Sequence, residues 1–203
     1  MNAGAPAARR FEAKVVQLTS AALIPEGELA ARLRRGGAQL VVVLREPDWS
    51  ARRMVDYGQG LRRATRAVGA RLLVADRLDV AHALEADGVH LGRHSVGVLE
   101  ARRALGDVLV TRSAHDDDEL TRAVSEGADA VLLSPIFASP GKGSPLGVEG
   151  LRRARRSLPG SIALVALGGV TPDHVGRCLE AGADAVASIR GDLTSSFACH
   201  AVS

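Results

Sequence analysis

Eight short apolar segments, separated by stretches of helical periodicity, constrain the fold of this chain more than any other feature of its sequence. They occupy residues 15–18, 40–44, 71–75, 88–91, 108–111, 130–133, 162–167 and 185–189. Several consist of consecutive apolar residues, such as VVVL and IALVAL, instead of alternating apolar and polar ones. Such runs are typical of parallel strands whose two faces are both covered by other parts of the protein.

The stretches between these segments carry helix signals and a weak internal repeat. Four acidic residues at 116–119 precede one predicted helix, where they favour the positive end of the helix dipole. EADGV at 85–89 and GADAV at 127–131 and 182–186 each join a helix end to a strand start. Eight strands alternating with helices predict a single (β/α)8 barrel. An open, doubly wound sheet is the alternative. We favour the barrel because eight segments are present and no domain boundary appears.

Composition argues against several function classes. One Trp, one Tyr and three Phe are too few for a protein that stacks the bases of single-stranded nucleic acid. The net charge is only +3, and most arginines lie in pairs on predicted helix faces, so we expect no nucleic-acid partner. No apolar run approaches the roughly 20 residues that span a bilayer, so we expect no membrane partner. Two cysteines make no disulfide framework, and we expect a cytoplasmic protein.

Residues that follow the predicted strands are candidates for the functional site, because catalytic groups in such barrels lie at the carboxyl ends of the strands. Gly168 and Gly169 follow the seventh strand, where a glycine-rich backbone of this fold commonly binds phosphate. The segment SPIFASPGKGSP at 134–145 predicts a mobile lid. It contains Lys142, one of only two lysines in the chain, and a lysine there is placed to close over a phosphate.

Two histidines lie on or after the predicted strands. His115 follows the fifth strand and is a candidate acid–base group near neutral pH. His90 lies within the fourth strand, where a structural histidine is the simpler interpretation. No spacing of His, Cys, Asp and Glu predicts a zinc or iron site.

Several motifs occur in order along the chain. They are LRE at 44–46, ADRLDVA at 75–81, ADGVHLG at 86–92, RSAH at 112–115, SPIFASPGKGSPLGVEGL at 134–151, ALGGVTPDHV at 166–175 and AGADAVASI at 181–189. Through them the chain resembles the thiamine phosphate synthase/TenI superfamily over residues 13–192. The resemblance implies a (β/α)8 barrel, in agreement with the number of apolar segments.

The synthases of this superfamily couple an aminopyrimidine diphosphate to a thiazole phosphate and release pyrophosphate with the help of Mg²⁺. Their pattern has a lysine, an asparagine and a second aspartate where this chain has Pro47, Ala75 and Ser95, while Arg45 and Asp76 are kept. One aspartate alone binds a hard cation such as Mg²⁺ poorly unless the substrate supplies most of the other ligands. The resemblance therefore implies a weakened pyrimidine-diphosphate half of the site.

The thiazole-phosphate half is better matched. The residues at the corresponding family positions are Ser139, Lys142, Gly169, Ile189 and Arg190. Two of the family positions differ, because Gly141 replaces a hydroxyl residue of the lid and Arg190 stands where synthases often have serine.

This pattern favours the TenI branch, whose members isomerise a carboxythiazole phosphate without a metal or cofactor. In that interpretation His115 transfers the proton, with Ser113 nearby. The residues expected to bind the small phosphorylated thiazole are Arg45, Ser139, Lys142, Gly168, Gly169, Ile189 and Arg190. Two alternatives stay open: a divergent thiamine phosphate synthase that uses Mg²⁺ at Asp76, and a non-catalytic phosphate-binding regulatory barrel.

The expected domain organisation is a flexible N-terminal segment over residues 1–12 and one barrel over residues 13–203. Relatives in this superfamily often form dimers or trimers, so the resemblance allows a homo-oligomer.

Overall fold

The computed structural model describes residues 11–200 of the chain. The expected flexible segment at 1–12 therefore lies mostly outside the described residues, and Phe11 within it is buried. Eight parallel strands pair in sequence order, and the last pairs with the first to close a barrel. The predicted (β/α)8 barrel is confirmed, and the open doubly wound sheet is wrong.

The strands agree closely with the apolar segments of the sequence. They are Val15–Leu18 (β1), Leu40–Leu44 (β2), Arg71–Ala75 (β3), Gly88–Leu91 (β4), Leu109–Ala114 (β5), Ala130–Leu133 (β6), Ala163–Ala166 (β7) and Ala185–Ser188 (β8). The main difference is β5, which continues through the polar residues 112 and 113, because the neighbouring strands β4 and β6 pair with them.

Helices follow the strands and form the outer layer. The α-helices of the described residues are Glu26–Gly36 (α1), Ala51–Val68 (α2), Leu78–Ala83 (α3), Val98–Leu105 (α4), Asp117–Ser125 (α5), Gly147–Ser157 (α6) and Val175–Glu180 (α7). The acidic run at 116–119 begins α5 as expected, since the Asp116 carboxylate accepts the Glu119 N–H at 2.8 Å. None of the described helices is both long enough and apolar enough to cross a bilayer.

Side chains alternate between two buried layers along each strand, as parallel barrel strands require. Those directed into the barrel are mostly small or branched and include Val41, Val43, Leu73, Leu109, Ala130, Leu132, Val165 and Ala187. Those directed outward pack against the helices and include Val42, Leu44, Leu72, Val74, Leu91 and Leu164. The barrel is therefore filled, and a ligand is accommodated only at its rim.

The internal repeat has a structural role, because its three aspartates make the same pair of contacts. They are Asp87, Asp129 and Asp184. Each carboxylate accepts the N–H of the second residue of the preceding strand, from Leu72, Val110 and Leu164 at 2.7–2.8 Å. Each also binds a helix arginine, Arg62, Arg102 and Arg155 at 2.6–3.0 Å. We call these contacts the aspartate clamps. They tie helix to strand at the amino ends of the strands.

Candidate active site

The carboxyl ends of all eight strands lie on one rim of the barrel, because the strands are parallel. The rim brings together loops that are far apart in the sequence. They follow β2 at Arg45, β3 at Asp76, β4 at 92–95, β6 at 134–146, β7 at Gly168 and β8 at 189–193. Active sites in this fold are built on this rim.

Asp76 is fixed at the rim in an unusual backbone conformation, with φ at 60°. Its Oδ1 accepts the Gly92 N–H at 2.8 Å and the Ser95 hydroxyl. A Cβ at position 92 would lie 3.2 Å from the same oxygen, so glycine allows this approach. None of the described residues donates a hydrogen bond to Oδ2, which leaves one carboxylate oxygen available to a ligand.

His90 lies beneath the rim and is almost fully buried, with 5% of its surface exposed. Its Nδ1 is 2.9 Å from Thr111 Oγ1 and its Nε2 is 3.0 Å from Ser113 Oγ. The pKa of His90 is lowered to about 4, chiefly by burial; the Asp76 charge opposes this shift and the Arg45 charge adds to it. The imidazole is therefore neutral at physiological pH, with one nitrogen donating and the other accepting.

Sequence reasoning treated His90 as structural and did not connect it with Ser113. The signal available was the alternation of a strand: Thr111 and Ser113 share one face of β5, and His90 pairs with Thr111 in register.

His115 is held by α5. Its Nδ1 is 2.8 Å from the Glu119 carboxylate, which also accepts the His115 backbone N–H at 2.9 Å. The other Glu119 oxygen binds Arg93. Burial acts to raise the pKa of Glu119, but the hydrogen bonds from His115 and Arg93 outweigh it and the pKa is lowered. Among the described residues, none makes a hydrogen bond with His115 Nε2.

Gly168 and Gly169 pack directly against the base of the lid. Their φ angles are 91° and 65°, which favour glycine. A Cβ on Gly168 would lie 2.7 Å from the Pro135 Cα, and one on Gly169 would lie 2.6 Å from the Ala138 carbonyl oxygen. The Phe137 N–H also donates to the Gly168 carbonyl at 2.9 Å. These contacts account for glycine at both positions.

The lid itself projects into solvent, and residues 140–145 are all exposed. Near Lys142 the segment forms a turn, in which the Lys142 N–H donates to the Ser139 carbonyl at 3.2 Å. The Ser139 hydroxyl donates weakly to the Phe137 carbonyl at 3.4 Å.

Three cations of the rim have no acidic partner among the described residues. They are Arg45, Lys142 and Arg190, and all three are exposed. The arginines of the aspartate clamps, in contrast, are each paired with a carboxylate. These three side chains place positive charge without a neutralising carboxylate at the rim, an arrangement suited to an anionic ligand.

A family model described as thiamine monophosphate synthase matches residues 17–191 of the chain. The chain belongs to the thiamine phosphate synthase/TenI superfamily. The thiamine-phosphate synthase of Chloroflexus aurantiacus is 41% identical over 156 residues, covering 75% of this chain and 71% of the relative. That of Moorella thermoacetica is 40% identical over 169 residues, covering 81% and 79%.

Solved structures agree with this family. Thiamine phosphate pyrophosphorylase from Pyrococcus furiosus superposes with a TM-score of 0.81 at 30% identity, covering 92% of this chain and 93% of that one. A KDPGal structure, at 20% identity and a TM-score of 0.64, shares the fold alone.

The expectation of a TenI-like thiazole tautomerase is wrong, because these superfamily relatives are synthases. That expectation rested on Pro47, Ala75 and Ser95, which replace synthase residues. The geometry gives a physical reason for the error. Ser95 binds the Asp76 carboxylate, so the position of the second aspartate still places an oxygen beside the first. Mg²⁺ commonly takes only one or two carboxylates when substrate phosphates supply the other ligands.

Proposed function

We propose that this protein is a thiamine-phosphate synthase, which joins an aminopyrimidine diphosphate to a thiazole phosphate and releases pyrophosphate. The observation that carries the proposal is the rim itself. Arg45, Lys142 and Arg190 have no acidic partner among the described residues, and they lie on the same rim as an Asp76 carboxylate oxygen that accepts no hydrogen bond from a described residue. Two phosphorylated substrates need several cations, and a diphosphate that leaves with Mg²⁺ needs a carboxylate.

The donor set supports one Mg²⁺ held partly by substrate. Asp76 would supply the carboxylate and Ser95 a hydroxyl oxygen at its side. The described residues contain no group of three or more His, Cys, Asp or Glu that could hold a metal. Substrate oxygens and water would therefore complete the coordination. When bound, the ion would neutralise charge on the diphosphate.

The cations of the rim would stabilise the negative charge that develops as the bond to diphosphate breaks. Arg45 follows β2, which pairs with β3, the strand that precedes Asp76, and we assign Arg45 to the diphosphate. Lys142 lies on the exposed lid and reaches the bound substrates when the lid closes. Arg190 stands where family members often have serine, and it adds a charge to the thiazole-phosphate side.

The neutral His90 would hold Ser113 in place toward the substrates. Because Nε2 lies 3.0 Å from Ser113 Oγ, the hydroxyl has a fixed partner and a defined direction. His115 is proposed to contact the substrates through Nε2, while Glu119 orients its ring.

The purified protein tests the proposal when it is given both substrates with and without Mg²⁺. We expect pyrophosphate and thiamine phosphate in equal amounts, and only when Mg²⁺ is present. Asp76→Asn should lower kcat/KM at least 100-fold. Asp79→Asn is the matched control, because that exposed carboxylate has its ion pair with the neighbouring Arg77, and its replacement should leave the rate unchanged. Tight binding of thiazole phosphate without pyrophosphate release would instead identify a non-catalytic binder.

A further inference from the structure

The loop that follows β8 is held from outside the barrel by two side chains of distant elements. Gln17 of β1 donates from Nε2 to the carbonyls of Ser188 and Ile189, at 3.1 and 2.9 Å. Arg32 of α1 donates to the carbonyls of Arg190 and Gly191, at 2.8 and 3.0 Å. Four successive carbonyl groups, from the last residue of β8 to Gly191, are therefore bound by one pair of residues.

The two side chains form a buried unit. Arg32 Nη1 donates to Gln17 Oε1 at 2.6 Å, and Glu28 binds the other guanidinium nitrogen. Gln17 and Arg32 are only 1% and 2% exposed. A buried guanidinium is costly unless it is extensively hydrogen-bonded. Two of the four hydrogen bonds of this guanidinium go to the loop after β8, and a third goes to Gln17, which binds the same loop, so the buried charge helps to hold the loop conformation.

The direction of the carbonyls fixes the direction of the N–H groups. In a planar trans peptide, the C=O of one residue and the N–H of the next point to opposite sides. Gln17 and Arg32 lie between β1 and α1, outside the barrel. The N–H groups of Ile189, Arg190 and Gly191 consequently point away from Gln17 and Arg32.

Hydrogen bonding among the described residues leaves these N–H groups open. No described residue accepts a hydrogen bond from the N–H of Ile189, Arg190 or Gly191. Successive backbone N–H groups that point to one side form a concave site for an anion.

We propose that Gln17 and Arg32 are positioning residues for a phosphate monoester bound by the 189–191 backbone. The inference rests on the proposed function, in which that monoester is the thiazole phosphate. Neither side chain touches the substrate. Their role is to turn the carbonyls of the loop outward, so that its N–H groups are preorganised for the phosphate.

Calorimetric binding of thiazole phosphate and of the corresponding thiazole alcohol tests this role without relying on turnover. Gln17→Leu and Arg32→Leu should each weaken binding of the phosphate at least 10-fold and leave binding of the alcohol unchanged. Arg32→Lys, which keeps a donor, should recover part of the loss. In steady-state kinetics, the KM for the thiazole phosphate should rise while the KM for the pyrimidine diphosphate stays within twofold.

Arg62→Leu is the matched control. Arg62 is also a largely buried arginine with an unpartnered Nε among the described residues, but it belongs to an aspartate clamp at the opposite end of the barrel. Arg62→Leu should lower the melting temperature of the protein without changing its relative affinity for the thiazole phosphate and the thiazole alcohol. If Arg32→Leu does not fold, Gln17→Leu carries the test, because it keeps the volume and removes the donors.

Two results would overturn the assignment: unchanged phosphate binding in folded Gln17→Leu, or an equal loss of affinity for phosphate and alcohol. If the wild-type protein binds neither thiazole compound, the proposed function fails. The loop is then tested with inorganic phosphate alone. A phosphate-dependent rise in melting temperature that Gln17→Leu abolishes keeps the assignment, and no rise in the wild-type protein rejects it.

Discussion

His90 Nε2 lies 3.0 Å from Ser113 Oγ, and the same ring binds Thr111 through Nδ1. The imidazole thus joins β4 to two positions of β5 just beneath the rim. Because this histidine is buried and neutral, it links the two strands through its hydrogen bonds and contributes no charge to the site.

The protonation of His90 predicts how stability depends on pH. Burial lowers its pKa to about 4 in the folded protein, from 6.5. Between these values the unfolded chain takes up a proton that the folded protein does not, so stability is lost as the pH falls from about 6.5 to 4. The loss is on the order of 3 kcal/mol. Urea unfolding across this range measures it. His90→Gln should flatten the dependence, and an equally steep profile in that variant would contradict the assignment.

The two nitrogens of His90 predict different results for two amide replacements. The side-chain nitrogen of asparagine superposes on Nδ1 and that of glutamine on Nε2. His90→Gln keeps the bond to Ser113, and His90→Asn keeps only the bond to Thr111. We expect His90→Asn to lower kcat/KM about 10-fold further than His90→Gln, with both variants folded. Equal activities would show that the Ser113 contact does not matter to the reaction.

Lys142 should contribute to turnover through its charge alone, because its ammonium group makes no hydrogen bond or ion pair with any described residue. Lys142→Ala is expected to lower kcat/KM about 10- to 100-fold. It should change the free energy of unfolding by less than about 0.5 kcal/mol, as for other exposed residues. The chain supplies its own control, since Lys14→Ala removes an exposed lysine before β1, at the other end of the barrel. Similar kinetic losses in both variants would refute the role of the lid.

Gly169 should be required for packing in addition to backbone conformation. Gly169→Ala combines a φ of 65° with a Cβ 2.6 Å from the Ala138 carbonyl oxygen. We expect a loss of about 3 kcal/mol in the free energy of unfolding. Gly141→Ala has a φ of 73° but nothing within 4 Å of its Cβ, so about 1 kcal/mol is expected. Thermal unfolding of both variants separates the cost of the backbone conformation from the cost of the Cβ contact. Equal losses of stability would mean that the backbone around Ala138 moves to accommodate the added Cβ.

Local sequence signals were sufficient for the architecture. Apolar runs identified all eight strands because each is covered on both faces, and the acidic run before α5 marked its start because Asp116 caps it. The rim positions of Arg45, Asp76 and Lys142 follow from the strand ends alone. These features depend on residues close together in the sequence.

The remaining features depend on contacts between residues far apart in the chain. Gln17 and Ser188 are 171 residues apart, and no local pattern indicates that one holds the other. The partnership of Ser95 with Asp76 was invisible for the same reason, and without it serine looked like a lost metal ligand. The tautomerase expectation was wrong for this reason, because the role of Ser95 depends on its contact with Asp76, which the sequence does not show.

The three aspartate clamps lie at the amino ends of their strands, whereas Arg45, Lys142 and Arg190 lie at the carboxyl ends. The contacts that stabilise the barrel and the residues proposed for the reaction therefore lie at opposite ends of the barrel. Each clamp involves one helix and its neighbouring strands and shares no residue with the other two, so the three stabilise separate parts of the barrel. Loops at the rim can therefore change, and substrate specificity with them, while the aspartate clamps at the other end keep the barrel folded.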